Sequence, residues 1–281
     1  MIDSNSKTNH TPQFQVPNIW ILTSILIAIL VPITSLFGIF YKKTYEQETH
    51  NWEIQGQAQD ISNLIVLIAF LVAIYFVYHH SIQSYLVWLG ILSYYIYAFV
   101  IYSFAVHFQF LFLFYTTILG LSLYTLIGGI TCVDQQVLVD NIKLNMTNKK
   151  ISNFLLIVAI LFAFLWLSEI IPSMINNDTP QELIDTGLIS NPVHILDLSF
   201  VLPAMFIVSM MIKHEKPLGY ILGIPLVVFS ITTGIGILMI FILSAIDGSE
   251  TSIPAAIMIS IIIVIGCILT YQYMKDNYTK G

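Results

Sequence analysis

Residues 191–212 read NPVHILDLSFVLPAMFIVSMMI. Beyond Asp197 the run carries no charge. It is long enough to cross a hydrocarbon core, which takes roughly 20 apolar residues. Asn191 before Pro192 is a helix start: Asn caps, and Pro suits the first helical position. His194 and Asp197 then place an imidazole and a carboxylate where hydrocarbon should begin. Asp197 falls about 9 Å beyond the cap at 1.5 Å per residue. An aspartate at that depth is costly unless a donor, a cation or water meets it.

The rest of the chain has the same character. Of its 281 residues, 57% are hydrophobic and 9% charged, and the mean hydropathy is +0.84. Soluble domains carry about 25% charged residues, so this chain needs lipid as solvent for much of its surface. Eight stretches are apolar enough to span: 18–41, 59–79, 82–105, 109–130, 151–174, 192–212, 217–245 and 252–274. The expected fold is therefore an all-α polytopic bundle of eight transmembrane helices. One domain should cover 18–274, between tails at 1–17 and 275–281. Pro225 marks a candidate kink in the seventh span.

Charge placement orients the bundle. Lys7, Lys143, Lys149, Lys150, Lys213, Lys216, Lys275 and Lys280 fall on the side of the termini; Lys42 and Lys43 alone fall on the other. The positive-inside rule puts both termini in the cytoplasm of a plasma-membrane protein. The outer connections are acidic, with Glu46, Glu48, Glu53, Asp178, Glu182, Asp185, Asp247 and Glu250. All ten basic residues are Lys, and the accompanying Ile and Asn bias suggests an AT-rich bacterial genome. The net charge of −6 includes no basic cluster, which excludes nucleic acid as an expected partner. Cys132 and Cys267 form neither a disulfide framework nor a CxxC site. The polar N-terminus lacks the marks of a cleaved signal peptide.

The two halves, 18–130 and 151–274, echo each other. Asp60-Ile61-Ser62 matches Asp197-Leu198-Ser199, and Tyr85 to Gly90 matches Tyr220 to Gly223. This pattern leads us to expect a four-plus-four parallel repeat.

Polar residues gather at one membrane level. Gln57 and Asp60 open span 2, Glu169 closes span 5, and His194 and Asp197 open span 6. These five are the candidate ligand-binding residues. A helix-dipole role with a structural hydrogen bond weighs equally for the aspartates. Zinc held by His194, Asp197, Asp60 and Glu169 would be an unusual donor set. No metal or cofactor is expected, and HExxH, GxSxG and P-loop motifs are absent.

Thr179-Pro180, Asn191 to Asp197 and Pro217-Leu218-Gly219-Tyr220 together resemble a group of uncharacterised multi-pass bacterial membrane proteins. The group's Gly-Gln-Asp helix entry is here Ala58-Gln59-Asp60. The resemblance covers most of the chain and implies a common design without an activity.

Three functions follow as expectations. The first is a protein, more a binder than an enzyme, with an outward-facing pocket that binds or transports a small polar or lipid-headgroup ligand. The second is an outer-leaflet enzyme using His194 beside Asp197. The third is a structural or assembly subunit.

Overall fold

A computed structural model of the protein describes residues 14–134, 136, 138, 146–249 and 251–277. Lys7, Lys143, Lys280 and Glu250, which enter the charge argument, lie outside the described residues. Eight helices are long and apolar enough to cross a membrane, and the protein is a multi-pass membrane protein. They are α1 (Asn18–Phe40), α2 (His50–Tyr78), α3 (Ile82–Ala105), α4 (Phe112–Thr131), α5 (Met146–Asn176), α7 (Pro192–Lys213), α8 (Pro217–Asp247) and α9 (Ile253–Asp276). A short α6 (Gln181–Thr186) lies between α5 and α7. Hydrocarbon offers no hydrogen bonds, so a spanning segment must satisfy its backbone internally, and helices do this.

Local sequence sets the helix ends. The side chains of Thr49, Ser81 and Ser252 accept from Trp52, Ser84 and Ala255 backbone N–H groups at the starts of α2, α3 and α9. The Thr49 cap starts α2 nine residues before the apolar stretch expected at 59. The polar residues His50 to Ala58 therefore extend the helix past the hydrocarbon. α8 runs unbroken through Pro225.

α7 contains an irregularity that apolarity did not reveal. Residues Asp197–Val201 form a π-helical turn, closed by the Leu202 N–H on the Asp197 carbonyl. Pro203 has no N–H and crowds the carbonyl four residues earlier, so a wider turn there relieves the ladder.

The helices form two rings of four. In the first, α1 packs on α2, α2 on α3, α3 on α4 and α4 on α1. In the second, α5 packs on α7, α7 on α8, α8 on α9 and α9 on α5. The rings join where α8 lies against α2 and α3. α3 is the core helix: 67% of its apolar window is buried, against 17% for α9. Its aromatic residues Tyr85, Trp88, Tyr94, Tyr95 and Phe99 are fully enclosed. The buried polar tips find partners. Trp88 Nε1 donates to Ser24 Oγ at 3.0 Å, and the Tyr85 hydroxyl to the Gly129 carbonyl at 3.0 Å.

Contacts between connections define two faces. On one, Thr49 Oγ1 donates to the Thr186 carbonyl at 3.0 Å, Trp52 Nε1 donates to the Ala105 carbonyl at 2.9 Å, and His50 pairs with Asp247 at 3.1 Å. On the opposite face Gln83 donates to the Asn277 carbonyl at 2.6 Å, and Lys150 reaches Gln272 at 3.3 Å. The first is the acidic face. The second holds Lys149, Lys150, Lys213, Lys216 and Lys275.

The ring–ring junction depends on Gly90. A Cβ there would lie 2.6 Å from the Pro225 carbonyl oxygen and from Val228 Cβ. Without a side chain, α3 can approach the α8 backbone. Gly120 on α4 faces open space. Gly90→Val should lower the thermal unfolding midpoint of the detergent-purified protein, since overpacking costs about 1–3 kcal/mol. Gly120→Ala should leave it unchanged or raise it. Equal behaviour of the two variants would contradict the close α3–α8 contact.

Candidate functional site

Four of the five sequence candidates fall into three environments, and Gln57 stands outside them. Asp60 is 1% exposed and sits between α1, α2 and α3. Tyr45 donates its hydroxyl to one carboxylate oxygen at 2.7 Å, and Tyr102 donates to the other at 2.9 Å. Burial pushes the Tyr45 phenol well above its ordinary pKa, so it remains a protonated donor. Opposite them, Gly38 leaves the space that the Asp60 carboxylate occupies; a Cβ on Gly38 would overlap it. This is a closed, well-satisfied site, as buried carboxylates require.

Asp197 is 8% exposed and sits at the start of the π turn. Trp166 Nε1 on α5 donates to its Oδ2 at 2.9 Å, and Tyr97 on α3 is its second polar neighbour. Unlike Asp60, it lines the central cavity. That cavity lies between α2, α3, α5, α7, α8 and α9, with a volume of about 110 Å³. It extends inward from Trp52, Gln55 and Val193 near the acidic face to Met205 and Phe229. Most of its wall is apolar. Its polar groups include Asp197, Gln59, Tyr97 and Thr233. Gln59 donates to the Tyr94 hydroxyl at 2.7 Å and to Asn63 Oδ1 at 3.1 Å. The Thr233 hydroxyl is buried and has no hydrogen-bond partner.

His194 and Glu169 meet in the third environment, together with Glu182. Nε2 of His194 lies 3.8 Å from Oε2 of each glutamate. The side chain of Asn191 accepts from the Val193 and His194 N–H groups at 2.8 and 3.1 Å, which fixes the first turn of α7. The Trp166 ring packs on the imidazole with centroids 4.5 Å apart. Trp166 thus packs its tilted ring against His194 and donates its N–H to Asp197. Burial pushes the Glu182 carboxyl up to about 7, and the neighbouring Glu169 pushes the same way. Gln57 is not part of this group and donates to Glu53 at 3.2 Å.

The two aspartates therefore occupy different settings, each against the first helix of its own ring. Tyr45, Gln59, Tyr97, Tyr102, Trp166 and Glu182 complete the settings and were not among the candidates. Gln59 carried a signal in its polarity beside Asp60. The tyrosines carried no sequence signal that separates a hydrogen-bonding role from packing. Glu182 read only as loop acidity, since nothing local shows that α6 folds back over α7.

If the Asp60 site is a structural clasp, Tyr102→Phe should destabilise the protein by about 1–3 kcal/mol, the cost of stranding a buried acceptor. Gly38→Ala should be at least as harmful. Thermal unfolding in detergent checks both, and an unchanged midpoint for both variants would rule the clasp out.

Comparison of the chain with protein-family models, curated proteins and solved structures gave no match, so function has to be argued from the chemistry of these three settings.

Proposed function

We propose that the protein is a plasma-membrane receptor or carrier for a lipid-like amphiphile. The ligand's polar head would be held at Asp197 and its chain against the apolar wall. One observation carries the reading: an intramembrane cavity whose largely apolar wall contains a carboxylate, an amide and an unpartnered hydroxyl. Binding sites for small molecules combine a mostly apolar lining with a few placed polar groups. An ionisable residue inside a membrane is a functional candidate by default. The apolar wall favours an amphiphile over a small polar solute. The Asp197 carboxylate favours a head that donates hydrogen bonds or carries positive charge.

Both termini lie in the cytoplasm in this reading, and the cavity opens outward. The lysines of the opposite face support this through the positive-inside rule. A bacterial source and a four-plus-four parallel repeat belong to the same proposal. The repeat is supported by the matching neighbour order of the two rings. A superposition of α1–α4 on α5, α7, α8 and α9 that failed would remove it.

Two measurements test the reading. In lipid nanodiscs, a brominated long-chain alkylamine should quench tryptophan fluorescence saturably, because Trp52 lines the cavity and Trp166 bonds Asp197. Asp197→Asn should weaken the amine by about tenfold, or about 1.4 kcal/mol, and Ile237→Trp should block it. The matching alkyl alcohol should respond to Ile237→Trp only. Quenching that is unsaturable, or insensitive to both substitutions, rejects the cavity as the binding site. For orientation, Cys132 and Cys267 are replaced by Ser and single cysteines introduced. Asp178→Cys should label from outside intact cells with an impermeant maleimide, and Lys216→Cys only after permeabilisation. The reverse pattern would invert the topology.

A further inference from the structure

Glu169, Glu182 and His194 come from three separate elements: the last turns of α5, the first turn of α6 and the first turn of α7. Nothing in their sequence spacing brings them together. One donor atom from each lies within 4.8 Å of the others.

The histidine distinguishes this group from an ordinary acidic patch. His194 is 8% exposed, its Nε2 is buried, and that nitrogen has no hydrogen-bond partner. It points between two carboxylate oxygens, each 3.8 Å away. That separation is too long for a hydrogen bond, whose heavy-atom distance ends near 3.2 Å. A buried polar atom left unpaired costs free energy, so native structures rarely keep one without a reason. Here the missing partner fits between the three atoms.

Geometry sets what that partner is. A point equidistant from atoms separated by 3.8, 3.8 and at most 4.8 Å lies about 2.0–2.5 Å from each. Zinc takes imidazole nitrogen at about 2.0–2.1 Å and carboxylate oxygen at about 2.0–2.2 Å. Imidazole suits zinc and its transition-metal neighbours, whereas magnesium and calcium favour oxygen sets. Two glutamates also match the charge of a divalent ion. Both are partly exposed on the acidic face, which gives the ion a way in.

We propose that Glu169, Glu182 and His194 form a binding site for a divalent transition-metal ion of the zinc type. The surroundings are organised for it. Asn191 fixes the turn carrying His194 and is a polar neighbour of Glu182. The Trp166 ring packs against the imidazole at an interplanar angle of 46° and restricts its rotation. Such supporting contacts orient ligands and tune the ion. Three protein ligands leave a further coordination position for water or a bound group, as in sites that are not closed structural ones. The ion would also tie α6 down between α5 and α7, at the end of the bundle where Trp166 meets Asp197. The site departs from the expectation of no metal because it needs Glu182. The donor set weighed from sequence used the two aspartates instead.

The test uses the full chain in lipid nanodiscs, stripped with a chelator and dialysed. Zn²⁺ is titrated against a chromophoric chelator. The expected result is about one ion per chain. Loss of an outer contact typically costs about 10–100-fold in metal affinity, so His194→Ala and Glu182→Gln should each weaken binding by more than tenfold. Asp178→Asn, in the same connection but outside the cluster, should leave it unchanged. Zn²⁺ should raise the unfolding midpoint of the wild type and not of Glu182→Gln. Co²⁺ should give a visible absorption band that Glu182→Gln abolishes. Should His194→Ala fail to fold, Glu182→Gln alone decides the matter, since it keeps size and hydrogen bonding. No stoichiometric uptake, or uptake of equal affinity in wild type and Glu182→Gln, overturns the site. Neither result depends on amphiphile binding, because Glu169, Glu182 and His194 are not among the residues that line the cavity.

Discussion

The absence of water inside a bilayer constrains everything in this protein. Each buried hydrogen-bonding group must find its partner within the bundle. Helices solve the problem for the backbone, and the side chains solve the rest through α3. That helix lies at the centre and turns hydroxyls and an indole toward its neighbours. Trp88 reaches Ser24 on α1, Tyr85 reaches Gly129 on α4, and Tyr102 reaches Asp60 on α2. Tyr97 faces Asp197 on α7. A helix whose aromatic side chains fill the core is also the main supplier of polar partners. The two roles are compatible because tyrosine is apolar along its ring and polar only at its tip.

The same constraint separates what could be read from sequence from what could not. Eight apolar stretches are a composition signal, and the eight spanning helices match it closely. Their ends shift where a cap extends a helix into polar sequence, as Thr49 does for α2. The level of the polar residues was also legible, because depth follows from position along a helix. Which residues share a site was not, because azimuth and cross-chain neighbours are tertiary facts. Asp60 and Asp197 read as a pair from their matching contexts. They lie against different helices, and only Asp197 borders the cavity. Glu182 shows the converse. It carried no pattern of its own, and the fold-back of α6 alone brings it to His194.

The contrast between the two aspartates is informative about function. The carboxylate of Asp60 receives two tyrosine hydroxyls and fills the space left by Gly38. Little of its hydrogen-bonding capacity remains for a ligand. Asp197 receives one indole N–H at short range and faces a cavity in which Thr233 also lacks a partner. Unspent polar capacity in an apolar wall is what a binding site needs, since each unpaired group rewards the ligand that pairs it. Asp60 thus sits closed in a helix interface of one ring, and Asp197 borders the cavity beside the other.

The π turn accounts for how α7 can do this. A regular helix starting at Asn191 would carry one uninterrupted ladder past Asp197, and Pro203 would break it about three turns in. The wide turn at Asp197–Val201 takes up that defect where the carboxylate sits. Such turns concentrate at functional sites because they re-aim side chains without ending the helix. Upstream of it, the cap at Asn191 holds His194 toward Glu169 and Glu182; downstream, the helix continues to the lysine face. The entry of α7 thus carries two separately built polar settings on one short segment, joined by Trp166.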